Sequence, residues 1–225
     1  MKPILRNLYQ FIRDAAHVLL YGNLDSSDYI ILDDKEVIFA SVAKSACTSI
    51  KTSITEEPPK SPTIHKHIRE FSHKRIPRDK HSYFAFTYVR NPYERLASCY
   101  RSKFNLEDKS KFLYSHYLFG YMGNNDTFEE FVRKVSKIPD FMCDRHFKSQ
   151  HSIIFSSGAK VDYVGKVEDL PSDFEEIRQR YGFSELKVLN KSQGKSSEML
   201  LTDEIRELIY NRFKKDFETF GYEKE

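Results

Sequence analysis

The feature that most constrains the fold is a stretch from Glu36 to Lys51 that passes from apolar residues to small and hydroxylic ones. Its first part, Val37–Ala40, has the β-branched and aromatic composition of a short buried strand. From about Ala46 the pattern turns helical. A strand that passes through a tight loop into a helix leaves backbone N–H groups pointing into the loop, so the stretch predicts an anion site.

The side chains of this loop suit a phosphate. Lys44 adds a mobile positive charge, Thr48 and Ser49 add hydroxyl donors, and the small Ala46 allows a close approach to the backbone. Nucleotide-binding proteins with the pattern G-x-x-x-x-G-K-[ST] use the same arrangement. Because this chain lacks those glycines, a nucleotide triphosphate site is only weakly indicated, and an ordinary strand-to-helix turn remains the alternative.

Composition indicates one domain over residues 1–225 in which any anion site is local. The chain has 36 basic and 33 acidic residues and a formal net charge of +3, too balanced to indicate a nucleic-acid partner. Its cysteines, Cys47, Cys99 and Cys143, are odd in number and widely spaced. They favour a reducing compartment over a disulfide framework, and no metal site is predicted.

Residues 1–23 have the spacing of an amphipathic helix, ended by Gly22 and Asn23. Charged residues interrupt the apolar run, which falls short of the ~18 residues that a spanning helix needs. We therefore expect this helix to pack on the domain, with peripheral contact of residues 1–21 with a membrane as the alternative. A cytoplasmic location and a bacterial origin are the accompanying expectations.

Strands and helices alternate along the rest of the chain, which predicts a mainly parallel sheet with helices on both faces. Capping boxes at Thr127 and Ser172 and a start near Thr202 mark helices. Further helices are expected over about 46–55 and 92–104. The predicted strands are 29–32, 37–40, 84–89, 161–164 and 186–189.

A second landmark is Arg90, which stands where the strand 84–89 ends and the next helix begins. Ligands of parallel sheets bind at the carboxyl ends of the strands, so Arg90 is expected at the same edge as Lys44. Ser98, two turns into the helix, could reach the same phosphate as the Arg90 guanidinium. Arg101 is expected to be a solvated helix position.

With these two anion sites, the chain resembles the carbohydrate sulfotransferases that use 3′-phosphoadenosine 5′-phosphosulfate. Residues 43–51, AKSACTSIK, are similar to their 5′-phosphosulfate loop, apart from Ala43 in place of a proline. Val89–Phe104 resembles their 3′-phosphate motif V-R-x-P-x-x-R-L-x-S-x-Y-x-x-K-F nearly throughout. Later segments are similar to D-x-H-(W/F)-x-x-Q at 144–150, G-K-x-E-x-L at 165–170, N-x-S at 190–192 and D-(F/Y)-x-x-F-G-Y at 216–222.

The resemblance implies a three-layer α/β/α fold with a mainly parallel central sheet, of the P-loop nucleotide-kinase type. It implies transfer of the sulfuryl group to a carbohydrate hydroxyl, with adenosine 3′,5′-bisphosphate as product and no metal. Lys44 would stabilise the leaving oxygen, and Arg90 and Ser98 would hold the 3′-phosphate. The remaining donor-binding residues would be Ser45, Ala46, Cys47, Thr48, Ser49, Lys191 and Ser192.

The pair His65-Lys66-His67 is similar to that of uronyl 2-O-sulfotransferases, which makes His67 the expected base and His65 the alternative. Two surface histidines in a basic loop would look the same. His146 and Gln150 are expected to line the acceptor pocket with His65. Glu168 either binds sugar hydroxyls or caps a strand end.

Residues 60–81 hold seven Lys or Arg and two acids, a local excess that flanks the proposed base. This excess favours an anionic polysaccharide as acceptor over a neutral one. Two other classes fit the same landmarks less well: a P-loop kinase of a small molecule, and a non-catalytic glycan- or anion-binding module.

Overall fold

The computed structural model describes residues 3–55, 68–155, 158, 160–187 and 200–225. They form a mixed α/β fold with one five-stranded sheet. Its strands are β1 (Tyr29–Leu32), β2 (Val37–Ala40), β3 (Ser72–His73), β4 (Phe84–Val89) and β5 (Tyr163–Lys166). Its α-helices are α1 (Pro3–Tyr21), α2 (Cys47–Ile54), α3 (Pro92–Lys103), α4 (Phe128–Ser136), α5 (Gln150–Phe155), α6 (Leu170–Tyr181), α7 (Asp203–Arg212) and α8 (Lys214–Phe220).

The chain divides into two compact units. The sheet unit comprises residues 27–91 and 150–193, and the helical unit comprises residues 1–26, 92–149 and 194–225. Each has its own hydrophobic core.

The sheet has the strand order β3-β1-β2-β4-β5. β1 is antiparallel to β2 and β3, whereas β2 and β4, and β4 and β5, are parallel. The predicted α/β class with parallel strands at the centre of the sheet is therefore confirmed. The three parallel strands bring the loops that follow Ala40, Val89 and Lys166 to one edge.

Apolar side chains of α2 and α6 cover one face of the sheet. Ile50 and Phe174 pack there with Phe39, Phe86 and Tyr88, all buried. Gly165 is needed in β5 because a Cβ at this position would lie 2.3 Å from the Tyr88 ring.

The helical unit is built around aromatic side chains contributed by α3, α4, α7 and α8. Phe131 lies at the centre, with its ring 4.4 Å from that of Phe104, and Phe217 packs on Tyr93. The capping box predicted at Thr127 is present, since its hydroxyl accepts from the Glu130 N–H and its own N–H donates to the Glu130 carboxylate.

Three predicted element boundaries are wrong. The capping box at Ser172 does not form, because α6 already begins at Leu170 and the Ser172 hydroxyl donates to the Asp169 carbonyl. β5 lies two residues later than predicted, at Tyr163–Lys166. Leu186 and Lys187 are not in a strand, and residues 188 and 189 lie outside the described part.

The helix predicted near the N-terminus is present as α1, but its faces are reversed. The exposed side chains include Leu5, Leu8, Ile12 and Leu19, whereas Asn7 and other polar side chains are half-buried. Amphipathic periodicity predicts the helix but not which face the protein covers. None of the helices in the described part is long and apolar enough to cross a membrane.

Candidate active site

The candidate site begins at the edge of the sheet unit where β2, β4 and β5 end. Lys44 lies in the loop after β2, Arg90 follows β4, and Glu168 follows β5. Lys44 and Arg90 are both half-buried. Parallel pairing therefore brings the loop that carries Lys44 to the same edge as Arg90, as the sequence predicts.

Two residues of the loop after β2 have left-handed backbone conformations. Lys44 has φ 69°, and Ala46, which precedes α2, has φ 54°. Such conformations are uncommon for residues other than glycine and cost on the order of 1–3 kcal/mol each. They let the loop turn sharply into α2 without the glycines of a nucleotide-triphosphate loop.

The side chain of Gln150 braces this loop. Its Oε1 accepts a hydrogen bond from the Ser45 hydroxyl at 3.1 Å and another from the Arg90 N–H at 2.9 Å. Its Nε2 donates to the Arg90 carbonyl at 2.8 Å. Gln150 is 0% exposed, so its amide supports the loop from inside the protein. This buried position does not fit a direct contact with an acceptor sugar.

The contact that Glu168 makes favours a capping role for this residue over binding of sugar hydroxyls. Its Oε1 accepts a hydrogen bond from the Asn91 N–H at 2.9 Å. Asn91 directly precedes α3, where unpaired N–H groups attract a carboxylate. This contact fixes the backbone next to Arg90.

Lys51, at the end of the stretch that forms the loop and α2, is buried. It is 3% exposed and its Nζ lies 2.5 Å from Asp28 Oδ2. The other oxygen of Asp28 accepts from the Ser72 hydroxyl in β3. The pair ties α2 to the segment before β1, which fixes the helix whose N-terminus faces the loop.

In the helical unit, α3 carries Ser98, Arg101 and Arg95. Arg95 is 2% exposed, and its guanidinium donates to the carbonyls of Lys148 and Arg145. Nε and Nη1 of Arg101 are buried and have no hydrogen-bond partner in the described part of the chain. The expectation that Arg101 is a solvated position is therefore wrong. Ser98 is half-buried one turn before Arg101, on the same side of the helix.

His146 is held by a carboxylate in the same unit. Its Nδ1 lies 2.7 Å from Asp144 Oδ1, which also accepts from the His146 N–H and from the Tyr114 hydroxyl. Although burial opposes it, hydrogen bonds from His146 and Tyr114 hold the pKa of Asp144 below its ordinary value. Because the ionised carboxylate only accepts, Nδ1 of His146 carries a proton and donates it to Asp144.

The segment around His146 is anchored by buried polar groups. Arg145 forms a two-oxygen contact with Asp25, at 2.6 Å from Nη2 and 2.8 Å from Nε. Lys148, 2% exposed, donates to Asn23 Oδ1 at 2.6 Å, and burial lowers the pKa of this lysine. Ser149 and Arg212 both bond to Asp140. These contacts fix the orientation of the segment that carries His146.

Four of the predicted residues lie outside the described part of the chain: His65, His67, Lys191 and Ser192. Their roles stay predictions. Of the remaining loop residues, Ser45 and Ser49 are buried, and Ala46, Cys47 and Thr48 are half-buried.

Sequence reasoning missed the supporting residues. Asp28 pairs with Lys51, and Asp144 bonds to His146. Arg95 donates to the carbonyls of Arg145 and Lys148. Only Asp144 had a local signal, since a carboxylate two residues before a histidine can reach its Nδ1. Asp28 and Arg95 have partners that are distant in sequence.

The chain is similar to known sulfotransferases. A model of a sulfotransferase family matches residues 27–223. Carbohydrate sulfotransferase 11 of Mus musculus is 26% identical over 243 residues, which cover 88% of this chain and 68% of the mouse protein. The Rattus norvegicus protein of that name aligns with the same identity and coverage. Carbohydrate sulfotransferase 14 of Danio rerio is 33% identical over 112 residues, covering 44% of this chain and 30% of its own. No solved structure matches the chain.

We expect Gln150→Ala to lower the free energy of unfolding by about 2–4 kcal/mol, because it leaves buried partners unsatisfied and opens a cavity. Urea unfolding measures the change. The matched control is Gln179→Ala, since Gln179 is exposed on α6 and should change stability by less than about 0.5 kcal/mol. Equal stability of the two variants would contradict the bracing role of Gln150.

Proposed function

We propose that this chain, which belongs to the sulfotransferase family, transfers the sulfuryl group of 3′-phosphoadenosine 5′-phosphosulfate to a hydroxyl of a carbohydrate. The family match over residues 27–223 is the observation that carries the proposal. The curated relatives are named carbohydrate sulfotransferases, which supports a sugar as acceptor. The geometry around Lys44 and Arg90 supports the donor, since both cations stand at one edge of the sheet.

In the proposed reaction, the acceptor oxygen attacks sulfur in line with the bond to the 5′-phosphate. The S–O bond to that phosphate breaks, the proton of the acceptor hydroxyl passes to a base, and adenosine 3′,5′-bisphosphate leaves. Lys44 stabilises the bridging oxygen as it gains charge. The 5′-phosphate is held by N–H groups of residues 45–49 and by the Thr48 and Ser49 hydroxyls.

The 3′-phosphate is assigned to Arg90 and Ser98, and we add Arg101. Buried N–H groups of a guanidinium without partners are unfavourable, since each costs on the order of 1–3 kcal/mol or more. A phosphate bound near Ser98 would supply the missing negative charge for Arg101. The late residues Lys191 and Ser192 complete the proposed donor site.

The base is assigned to His67, with His65 as the alternative, and both lie outside the described residues. His146 is assigned to the acceptor. Asp144 fixes its tautomer, so that Nε2 can accept a hydrogen bond from a sugar hydroxyl.

The acceptor is proposed to be an anionic polysaccharide. In the described part of the basic segment, Arg69, Lys74, Arg75 and Arg78 are exposed. Lys80 instead pairs with Asp33 at 2.7 Å. Exposed cations near a proposed base attract carboxylates or sulfates of a polymer, and their contribution falls with salt.

The first prediction concerns the donor. Arg90→Ala and Arg101→Met should each weaken binding of adenosine 3′,5′-bisphosphate by about 10–100-fold, the loss of one charge-assisted contact. Binding of adenosine 5′-phosphate should change much less, because it lacks the 3′-phosphate. Isothermal titration calorimetry measures both, with ATP as a test for a kinase.

Arg133→Ala is the matched control, since Arg133 is a partly exposed arginine on α4 paired with Glu129 and Glu204. Arg101→Met should not lower the free energy of unfolding, because it removes a cation with two buried nitrogens that have no hydrogen-bond partner in the described part of the chain. Equal losses for both adenosine nucleotides would refute the assignment to the 3′-phosphate.

The second prediction concerns the chemical step. Lys44→Ala should lower kcat by about 10²–10³-fold, with a smaller loss in donor affinity, because one preorganised donor to the leaving oxygen is removed. Single-turnover transfer from radiolabelled donor measures the step. Lys215→Ala, at an exposed position of α8, serves as the control.

The same assay separates the histidines. His67→Ala should lower kcat by about 10²–10⁴-fold with donor binding retained. A loss confined to His65→Ala would transfer the role to His65. His146→Ala should mainly raise acceptor KM. For the lysine, near-normal turnover of the Lys44→Ala variant would contradict its role in the mechanism.

The third prediction concerns the acceptor and tests the function as a whole. Incubation with labelled donor across a glycan panel should sulfate polymers that contain uronic acid more efficiently than neutral ones. Acceptor KM should rise with ionic strength more steeply than donor KM, because exposed charges are screened within about 8 Å at physiological salt.

The double variant Lys74→Glu/Arg75→Glu should raise acceptor KM with little change in kcat. Its charge-matched control is Lys214→Glu/Lys215→Glu on α8. Efficient sulfation of a neutral glycan that is insensitive to salt and to the Lys74→Glu/Arg75→Glu variant would overturn the proposal of an anionic acceptor. Donor binding without transfer to any glycan would favour a non-catalytic module.

A further inference from the structure

The outer face of α1 is an apolar stripe that the described part of the chain leaves in solvent. Leu5, Leu8, Ile12, Ala16 and Leu19 are all exposed. They follow one another at steps of three or four residues, so they form a single line along the helix. From Leu5 to Leu19 this line is about 21 Å long. We call it the outer stripe.

The exposure of the outer stripe is large for leucine and isoleucine side chains. Leu19 is 87% exposed, Leu20 next to it is 74% exposed, and Ile12 is 58% exposed. Single exposed apolar residues are common, but a contiguous patch of this kind marks an interaction surface.

The polar side of α1 faces the helical unit instead. Asn7 Oδ1 lies 2.5 Å from His116 Nδ1, and His17 Nδ1 lies 2.8 Å from the Asn23 carbonyl. The Asp14 side chain is 15% exposed and accepts from Gln10. The bond between Asn7 and His116 holds this side of the helix toward the rest of the unit, because turning the helix over would break it.

An aromatic side chain outside the helix extends the outer stripe. Phe119 is 53% exposed, and its ring lies 4.4 Å from that of Phe11. Leu118 and Phe119 both have positive φ, 44° and 60°. Such conformations are strained for large side chains, and strain of this kind is found at sites that present a side chain for function.

The charge of this region indicates what covers the stripe. Residues 1–21 hold three basic residues, Lys2, Arg6 and Arg13, and one acidic residue, Asp14. On a helical projection Arg13 lies along one margin of the outer stripe, next to Tyr9 and Leu20, where its side chain is 62% exposed and also contacts Asp14. A second copy of the chain would bring like charges together across a symmetric interface, whereas an anionic lipid surface complements them.

We propose that the outer stripe of α1, with Phe119, docks on an anionic membrane surface with the helix lying in the plane of the interface. The apolar side chains enter the boundary between headgroups and acyl chains, and the excess of basic residues in segment 1–21 attracts lipid phosphates and carboxylates. The arrangement attaches the chain to a membrane without crossing it.

The test is co-sedimentation of the full chain with phosphatidylcholine vesicles that contain either no anionic lipid or about 30% phosphatidylserine, at low and high salt. The wild-type chain should bind the anionic vesicles several-fold more tightly than the neutral ones, and salt should reduce the difference. Ile12→Glu and Leu19→Glu should each weaken the partition by about tenfold or more, since each places a charge in the apolar boundary.

Leu113→Glu is the matched control, because Leu113 is 72% exposed but lies outside α1. It should bind vesicles within about twofold of the wild-type chain. Because both stripe residues are exposed, neither substitution should lower the midpoint of thermal unfolding.

Four results would overturn the proposal. One is no binding to anionic vesicles. Another is binding that Ile12→Glu and Leu19→Glu leave unchanged. The third is a stable dimer in analytical ultracentrifugation that these variants dissociate, which would assign the stripe to a second copy. A drop in unfolding temperature for either variant would show that the stripe is packed in solution, and would also overturn it.

Discussion

The candidate site of the sheet unit depends on the hydrogen bonds that the side-chain amide of Gln150 makes. Parallel pairing brings the ends of β2 and β4 together, but their backbones leave the sheet after Ala40 and Val89 and need another partner. Gln150 supplies it with hydrogen bonds to Ser45 and to both backbone groups of Arg90. Because these bonds are buried, each is stronger than in water, and an unpaired group there would be costly.

Support by buried polar groups recurs in both units. In the sheet unit, Asp28 pairs with Lys51 at the base of α2. In the helical unit, Asp144 orients His146, and Arg95 binds the carbonyls of the same segment. In each case a charged group without an assigned contact to ligand fixes a helix or a segment that carries residues with such an assignment. Positioning of this kind is what preorganised electrostatic catalysis requires.

Helix α1 follows the opposite rule to the core helices. In α4 the apolar residues Phe128, Phe131, Val132 and Val135 are buried. In α1 the side chains of Asn7, Gln10 and Asp14 are half-buried, whereas those of Leu8, Ile12 and Leu19 are exposed. The periodicity of the two segments is the same in kind, so it does not decide which face is covered. In α1 the bond between Asn7 and His116 holds the polar face inward.

The sequence by itself determined the α/β class, the strands β1, β2 and β4, and the positions of Lys44 and Arg90 at strand ends. These follow from local composition, because short apolar runs bounded by small or polar residues form buried strands. It also determined the Thr127 cap, whose partner is three residues away. The tertiary structure alone decided the burial of Lys51, the burial of two Arg101 nitrogens, the support by Gln150 and the orientation of α1. Each of these depends on groups that are distant in the chain, and no local pattern encodes which of them will meet.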